Sequence, residues 1–299
     1  MKRTYVAVSE MQDFLRCQWR WYAKYRLNRV PRRWSDALIL GTAVHNVFEK
    51  HFKGDTLEGA WQDEVMVLDG ARLMAKDPSE AVAIVKAKNS LILYKPQIVG
   101  FVDQFRIDES LEVEEAFEIP LGTFNYDGSA FVLQGRPDQA IRVGDVVYHR
   151  QHKTIAPNKG LETYAKVIAR SMHEGLYGNY LSQKYNGSLT YGGTALNVII
   201  KKVVDDPRKG SFQTIIKVDG LERFRAFLRA QAITREMARA AEIAERCGHL
   251  GLIDNPLEDA GAFGNSLDGY YHVLTGQRKL SDDAYFMDRE ERYVPIEGD

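Results

Sequence analysis

The sequence predicts an α/β fold, in which a central mixed β-sheet is flanked by helices and extended by helical additions at the N- and C-terminal ends. Two short β-prone runs, residues 139–143 and 146–148, are joined by Gly144-Asp145, which is typical of a hairpin with a tight primed turn. Segments before and after this hairpin repeat apolar residues at helical spacing. A hydrophobic content of 44% and a charged content of 27% are ordinary for a globular protein.

The elements before the hairpin are mainly helical. A helix is predicted over residues 9–28, opened by a capping box that runs from Ser9 to Gln12. A second helix is predicted over residues 40–52, and residues 57–94 favour two helices broken near Asp77-Pro78. Strand-like residues begin near Leu111 and lead into the hairpin.

The elements after the hairpin mix helices and strands. We expect a helix over residues 160–185, strands over residues 194–201 and 212–218, and a long amphipathic helix over residues 221–246. The tail from residue 248 is predicted to be irregular, with a helical stretch near residues 267–274. We treat residues 1–299 as a single domain, with a mainly helical part (1–110), a core (111–218) and a C-terminal extension (219–299).

The hairpin brings three polar side chains together. If Gly144-Asp145 forms the loop, counting outward places Asp138 directly opposite Gln151. The Cβ atoms of such cross-strand neighbours lie about 4.5–5.5 Å apart. Because side chains alternate along a strand, Lys153 shares the face of Gln151. An acid, an amide and an ammonium group therefore converge, provided that no β-bulge shifts the register.

Four motifs in this order resemble those of the PD-(D/E)XK nuclease superfamily. The matching residues are Gly41 and His45, then Pro137-Asp138, then Gln151-His152-Lys153, and finally His173 with Tyr177. The first pair resembles the Gly…His helix of the RecB-type branch, and the last lies where that branch carries a Gln-x-x-x-Tyr motif. The order is similar to that of RecB nuclease domains, CRISPR adaptation nucleases and phage exonucleases, and it implies a restriction-endonuclease-like core.

The resemblance implies a phosphodiester-cleaving site that uses Mg²⁺ or Mn²⁺. The implied metal ligands are His45, Asp138, Gln151 and the backbone carbonyl of His152. The implied catalytic residues are Asp138, Gln151, Lys153 and Tyr177. In such a site the lysine orients or deprotonates the attacking water and stabilises the transition state. Tyr177 and His173 would contact the scissile phosphate or position the lysine.

Two positions depart from the family pattern. The family has Asp or Glu where this chain has Gln151, and usually Gln where it has His173. An amide offers a hard cation one neutral oxygen instead of a negative charge, so metal affinity and activity are expected to fall while the fold survives. The chain is either a deliberately inactivated variant or a natural pseudo-nuclease. Retention of the other motif residues favours the first explanation.

Positive charge is concentrated near the N-terminus, although the formal net charge is −1. Residues 16–33 hold seven Lys or Arg and no acid, with aromatic residues between them. Arg16, Arg20 and Lys24 recur at four-residue steps along the predicted helix, and we expect them to contact DNA together with His173 and Tyr177. The alternative is that the aromatic residues form core while the arginines only coat the helix. We expect both in part, with Tyr22 and Tyr25 buried and the three cations touching DNA.

The two cysteines, Cys17 and Cys247, exclude one cofactor. Several RecB-like relatives carry an iron–sulfur cluster held by four cysteines, and two thiols cannot hold it, so none is predicted. Low cysteine usage is typical of a reducing cytosol, and no apolar run approaches the roughly 20 residues of a membrane span. We therefore expect a cytoplasmic protein of a bacterium or a phage-infected cell.

The predicted function is a divalent-metal-dependent DNA exonuclease, inactive or weakened at Gln151. The alternative is a non-catalytic DNA-binding member of the same fold that acts in recombination or DNA processing. A third option is a protein-interaction module whose acidic tail docks a partner. The sequence does not distinguish single- from double-stranded DNA as the substrate, or exonuclease from endonuclease action. It also does not give the polarity of digestion or the oligomeric state.

Overall fold

The computed structural model describes residues 2–31, 34–101, 107–155, 161–169, 171–204, 206, 209–247 and 286–288. The helices are α1 (Val8–Arg16), α2 (Gln18–Trp21), α3 (Asp36–Phe52), α4 (Leu57–Met74), α5 (Pro78–Leu93), α6 (Lys95–Val99), α7 (Leu161–Ala169), α8 (Met172–Lys184) and α9 (Gly220–Cys247). The strands are β1 (Arg3–Val6), β2 (Arg29–Pro31), β3 (Glu109–Val113), β4 (Phe117–Phe124), β5 (Ala130–Gly135), β6 (Gln139–Val143), β7 (Val146–Ile155), β8 (Thr190–Ile200), β9 (Ser211–Ile216) and β10 (Phe286–Asp288). Tyr22–Arg26 continue α2 as a π-helical segment.

Backbone contacts group the chain into two compact units. Unit 1 comprises Met1–Arg33, Ala116–Gly135 and Phe227–Asp299, and unit 2 comprises Trp34–Glu115 and Arg136–Ala226. The single domain over residues 1–299 and its three parts stay a prediction.

Unit 2 contains a mixed five-stranded sheet with the order β3-β6-β7-β8-β9. β7 and β8 run parallel, and the other neighbours are antiparallel. A parallel pair needs a crossover connection, which here contains α7 and α8. The predicted strands over residues 194–201 and 212–218 are confirmed as β8 and β9.

Helices cover both faces of this sheet. On one face, α3 places the Phe48 ring 4.6 Å from the His152 ring of β7, in a stacked arrangement. On the other face, His149 of β7 meets Glu174 of α8, with His149 Nδ1 3.1 Å from the Glu174 carboxylate. Because side chains alternate along β7, its even-numbered residues face α3 and its odd-numbered residues face α8. The predicted α/β class, a mixed sheet between helices, is confirmed.

Unit 1 contains a three-stranded sheet of order β1-β5-β4 and the pair β2–β10. β1 runs parallel to β5, and β4 is antiparallel to it. Trp19 and Trp21 are buried at 1% and 0% exposure, whereas Tyr22 and Tyr25, which we expected to be buried, are only half-buried. The sequence pattern does not predict β1, β2 or β10, each of which has four residues or fewer.

Two predicted helices are interrupted. The predicted helix over residues 9–28 breaks at Cys17, whose backbone is extended (φ −164°, ψ 110°). Its predicted capping box is wrong, because Ala7 is the N-cap and Ser9 lies inside α1. The predicted helix over residues 160–185 is two helices, because the Ser171 side chain caps α8 by accepting a hydrogen bond from the Glu174 N–H.

Two further predictions concern the C-terminal tail and membrane spans. The helical stretch expected near residues 267–274 lies outside the described residues. Within the part of the chain that is described, no helix combines the length and the apolar content that crossing a bilayer requires.

Candidate active site

The predicted hairpin is confirmed as β6 and β7. Gly144 adopts φ +59°, a left-handed conformation typical of primed hairpin turns. The register pairs Gln139 with Arg150. Continued by one residue, this register places Asp138 opposite Gln151, as the sequence predicts.

β3 contributes a second neighbour of Asp138. The pairing between β3 and β6 joins Val113 to Gln139. One residue further along, the Glu114 N–H donates a hydrogen bond of 3.2 Å to the Asp138 carbonyl. Glu114 follows β3, Asp138 precedes β6 and Gln151 lies within β7, so the three residues form a row with Asp138 in the middle.

Glu114 is a site residue that the sequence analysis missed. It adopts φ +54°, which is uncommon for a residue with a side chain. Its side chain is only 16% exposed, and Arg136 Nε lies 4.0 Å from its carboxylate. Burial, together with the negative charges of Asp138 and Glu49, raises the pKa of the Glu114 carboxyl to about 7. A cation between two such neighbouring carboxyl groups would stabilise their charged forms.

α3 brings an imidazole to the same place. A Cβ atom added to Gly41 would lie 4.0 Å from Thr154 Oγ1, so this turn of the helix runs close to β7. One turn later, His45 Nδ1 lies 3.5 Å from Asp138 Oδ2. One potential ligand atom from each of His45, Glu114 and Asp138 lies within 4.8 Å of the other two.

This triad fits a divalent cation. Octahedral Mg²⁺ with bonds of 2.0–2.1 Å separates neighbouring ligand atoms by about 3 Å and opposite ones by about 4 Å, so only small side-chain shifts are needed. The Asp138 carboxylate is already favoured in its charged form. Burial raises its pKa, but the positive charges of His45 and Lys153 and a 2.7 Å hydrogen bond from the His152 N–H outweigh burial and lower the pKa.

The other residues of the hairpin motif have different surroundings. Gln151 is 1% exposed, and among the described residues its buried Oε1 atom has no hydrogen-bond partner. Lys153 is half-buried on the face of Gln151, and its charge acts on the Asp138 carboxyl. The His152 ring packs in the core, where burial lowers its pKa well below 6.5. The predicted ligand role of His152 therefore concerns its backbone carbonyl and not its imidazole.

α8 carries His173 and Tyr177, whose ring centroids are 4.1 Å apart. The Tyr177 hydroxyl accepts a hydrogen bond from the Arg136 N–H and donates one to the Arg136 carbonyl, both at 3.3 Å. Tyr177 thus holds the backbone two residues before Asp138. Burial lowers the pKa of His173 to about 4, so its ring is neutral near pH 7. A contact of either residue with a phosphate stays a prediction.

Two fully buried polar residues behind the motif were also missed. His149 and Glu174 are 0% exposed, and the Thr194 hydroxyl donates to the same Glu174 carboxylate that contacts His149. These contacts attach α8 to β7 and β8, the strands beside the hairpin. The sequence pattern gives no signal for this network, because a lone His or Glu in an amphipathic segment is normally solvated.

The predicted DNA-binding residues of the first helices belong to unit 1. Arg16 is exposed. Asp13 is 5% exposed, and its carboxylate lies 2.6 Å from Lys24 Nζ and 3.5 Å from Arg20 Nη2. Burial raises the pKa of Asp13, but these two cations and Tyr25 lower it below its usual value. Arg20 and Lys24 therefore take part in an internal ion-pair network, and their contact with DNA stays a prediction.

Comparison with known proteins gives a family. The chain matches the model of the PD-(D/E)XK nuclease superfamily over residues 5–249. No curated protein sequence matches it. Among solved structures, the crystal structure of a "Putative exonuclease" from Eubacterium rectale is similar over 87% of this chain and 93% of that one, with 12% identity and a TM-score of 0.43.

The chain belongs to the PD-(D/E)XK nuclease superfamily. Nucleases of this superfamily use divalent metals to hydrolyse phosphodiester bonds, so the substrate is a nucleic acid. The triad of His45, Glu114 and Asp138 is a group of residues in the described structure that could bind such a metal.

Proposed function

We propose that the protein is a divalent-metal-dependent DNA exonuclease whose activity is weakened by Gln151. One observation carries the proposal: ligand atoms of His45, Glu114 and Asp138 lie within 4.8 Å of one another at the end of the hairpin that carries Lys153. The order of the motifs, similar to that of RecB-type and phage exonucleases, supports DNA ends as the substrate. A cytoplasmic location is part of the same proposal.

Each residue has a separate task in the proposed reaction. His45 and Asp138 would hold the cation, and Gln151 would add a neutral oxygen. A bound Mg²⁺ or Mn²⁺ ion lowers the pKa of a water molecule and neutralises charge on the phosphate. Lys153 orients the attacking water and stabilises the transition state through its positive charge. The water oxygen would bond to phosphorus while the bond from phosphorus to the sugar oxygen breaks. The attacking water would give a proton to the solvent, and the leaving oxygen would take one from a solvent water molecule.

The test is hydrolysis of end-labelled linear DNA and closed circular DNA by wild-type protein and by Gln151→Glu. Restoring a carboxylate should raise the rate on linear DNA by at least about tenfold, which corresponds to 1.4 kcal/mol of transition-state stabilisation. Lys153→Met in the same background should remove the activity, EDTA should abolish it, and circular DNA should stay intact. If Gln151→Glu is folded and leaves linear single- and double-stranded DNA uncut with either metal, catalysis by this site is wrong.

Gln151 itself favours a second candidate function. A neutral amide where the family has an acid suits a non-catalytic DNA-binding member that acts in recombination or DNA processing. This candidate predicts salt-sensitive DNA binding that is unchanged by Asp138→Asn or Lys153→Met, with no hydrolysis even by Gln151→Glu. Binding titrations at two salt concentrations, run beside the hydrolysis assay, separate the two functions.

A further inference from the structure

We infer that Glu114 supplies the second negative charge of the metal site, in place of the acid that is missing at position 151. The inference deepens the proposed function and rests on it for the identity of the site. It assigns this chain a carboxylate ligand from the residue that follows β3, outside the hairpin motif.

The sheet makes positions 114 and 151 equivalent neighbours of Asp138. β6 lies between β3 and β7, and the registers on its two sides place Glu114 and Gln151 on either flank of Asp138. On one side, a Glu114 carboxylate oxygen lies within 4.8 Å of a carboxylate oxygen of Asp138. On the other side, a regular cross-strand neighbour such as Gln151 has its Cβ atom about 4.5–5.5 Å from that of its partner. A carboxylate on either flank can therefore reach a cation held by Asp138, and the site keeps two negative charges when the acid moves from one flank to the other.

The surroundings of Glu114 leave its carboxylate available to a cation. Its backbone is held in place by the hydrogen bond of 3.2 Å to the Asp138 carbonyl. Arg136 lies 4.0 Å away, beyond hydrogen-bond distance, and its side chain is 62% exposed. An exposed cation at that distance neutralises a carboxylate only weakly.

The opposite flank gives a second, independent observation. The Gln151 Oε1 atom is buried next to Asp138 and has no hydrogen-bond partner among the residues that the structure describes. A buried carbonyl oxygen without a donor is costly, and a cation, or a water molecule bound to one, would satisfy it. The row therefore offers two carboxylates and one neutral oxygen to a single ion, with His45 completing the set.

Mn²⁺ binding, measured by calorimetry and by electron paramagnetic resonance without DNA, tests the inference. Glu114→Gln should weaken binding at least tenfold. Glu115→Gln is the matched control, because Glu115 is the next residue, is 57% exposed and pairs with Lys184 at 3.5 Å; it should change affinity less than twofold. The exchange variant Glu114→Gln with Gln151→Glu should return affinity to within about threefold of wild type.

Two outcomes would overturn the inference. One is wild-type Mn²⁺ affinity in Glu114→Gln, and the other is an exchange variant that binds no better than Glu114→Gln alone. If Glu114→Gln fails to fold, Glu114→Gly takes its place, since φ +54° suits glycine. Metal binding that depends on Glu114, with no DNA cleavage even by Gln151→Glu, would contradict the proposed function and leave this inference standing. DNA cleavage by Gln151→Glu, with unchanged metal binding in Glu114→Gln, would contradict this inference and leave the proposed function standing.

Discussion

Tyr177 is expected to act on the metal site through the backbone of Arg136. Tyr177→Phe removes one hydroxyl from a side chain that is 6% exposed, and with it two hydrogen bonds of 3.3 Å. Each such bond contributes about 0.5–1.5 kcal/mol net, and both are long, so we expect the free energy of unfolding to fall by about 1–2 kcal/mol. The melting temperature should drop by about 2–3 °C.

The same substitution should weaken metal binding. The freed Arg136 backbone lies two residues before Asp138, so the carboxylate that anchors the ion is held less firmly. Residues that orient a ligand without touching the metal typically contribute 10–100-fold to affinity, and for this indirect contact we expect the lower end, about tenfold. Calorimetry with Mn²⁺ and thermal unfolding by circular dichroism measure the two effects separately.

Tyr180→Phe is the matched control on the same helix. The Tyr180 hydroxyl donates to Glu112 at 3.2 Å and accepts from Lys184 at 3.0 Å, away from the Asp138 turn. It should lower the melting temperature to a similar extent and leave Mn²⁺ affinity unchanged. Equal losses of affinity in the two variants, or none in Tyr177→Phe, would refute a positioning role for Tyr177.

Two further predictions concern stability. Burial holds the pKa of His173 at about 4, so the unfolded chain protonates first and stability is lost as the pH falls from about 6.5 toward 4. Because the His173 ring is 31% exposed, we reduce the expected loss of unfolding free energy to about 1 kcal/mol between pH 7.5 and 5. This loss should disappear in His173→Gln. Identical urea midpoints for both proteins at both pH values would contradict the prediction. Gly193→Ala should lower the free energy of unfolding by more than about 2 kcal/mol, because φ is +115° and the new Cβ atom would lie 2.2 Å from the Ile216 carbonyl oxygen. Gly187→Ala should lower it by only about 1 kcal/mol, because φ is +83° but no atom lies within 4 Å of the new Cβ atom. Urea unfolding measures both values. A smaller loss in Gly193→Ala than in Gly187→Ala would show that the packing argument is wrong.

The hairpin could be predicted because its geometry is local. Gly144-Asp145 sets the loop, the loop sets the register, and alternation assigns each side chain to a face. Asp138 opposite Gln151 follows from counting. His45 could be matched only through the resemblance, since the approach of α3 to β7 depends on helix packing that no short motif encodes.

Glu114 could not be predicted because its place depends on a β-bulge. The pairing between β3 and β6 shifts by one residue between Ser110 and Glu112. Without that shift, Val113 and not Glu114 would face Asp138. A bulge re-aims every side chain that follows it, and nothing in the composition of this segment marks where it occurs.

The ion pairs of Arg20 and Lys24 with Asp13 could not be predicted because they depend on a helix break. In a continuous helix, Asp13 and Lys24 would be separated by about 16 Å along the axis, too far for an ion pair. The extended backbone at Cys17 turns the chain, and Lys24 Nζ lies 2.6 Å from the Asp13 carboxylate. Neither glycine nor proline marks this break, so the sequence predicts an uninterrupted row of cations.

A crystal structure of the wild-type protein with Mn²⁺ tests the metal site most directly. We expect one anomalous peak within about 2.5 Å of ligand atoms from His45, Glu114 and Asp138. A peak bound by other residues, or no peak at a Mn²⁺ concentration that saturates the protein in solution, would contradict the account.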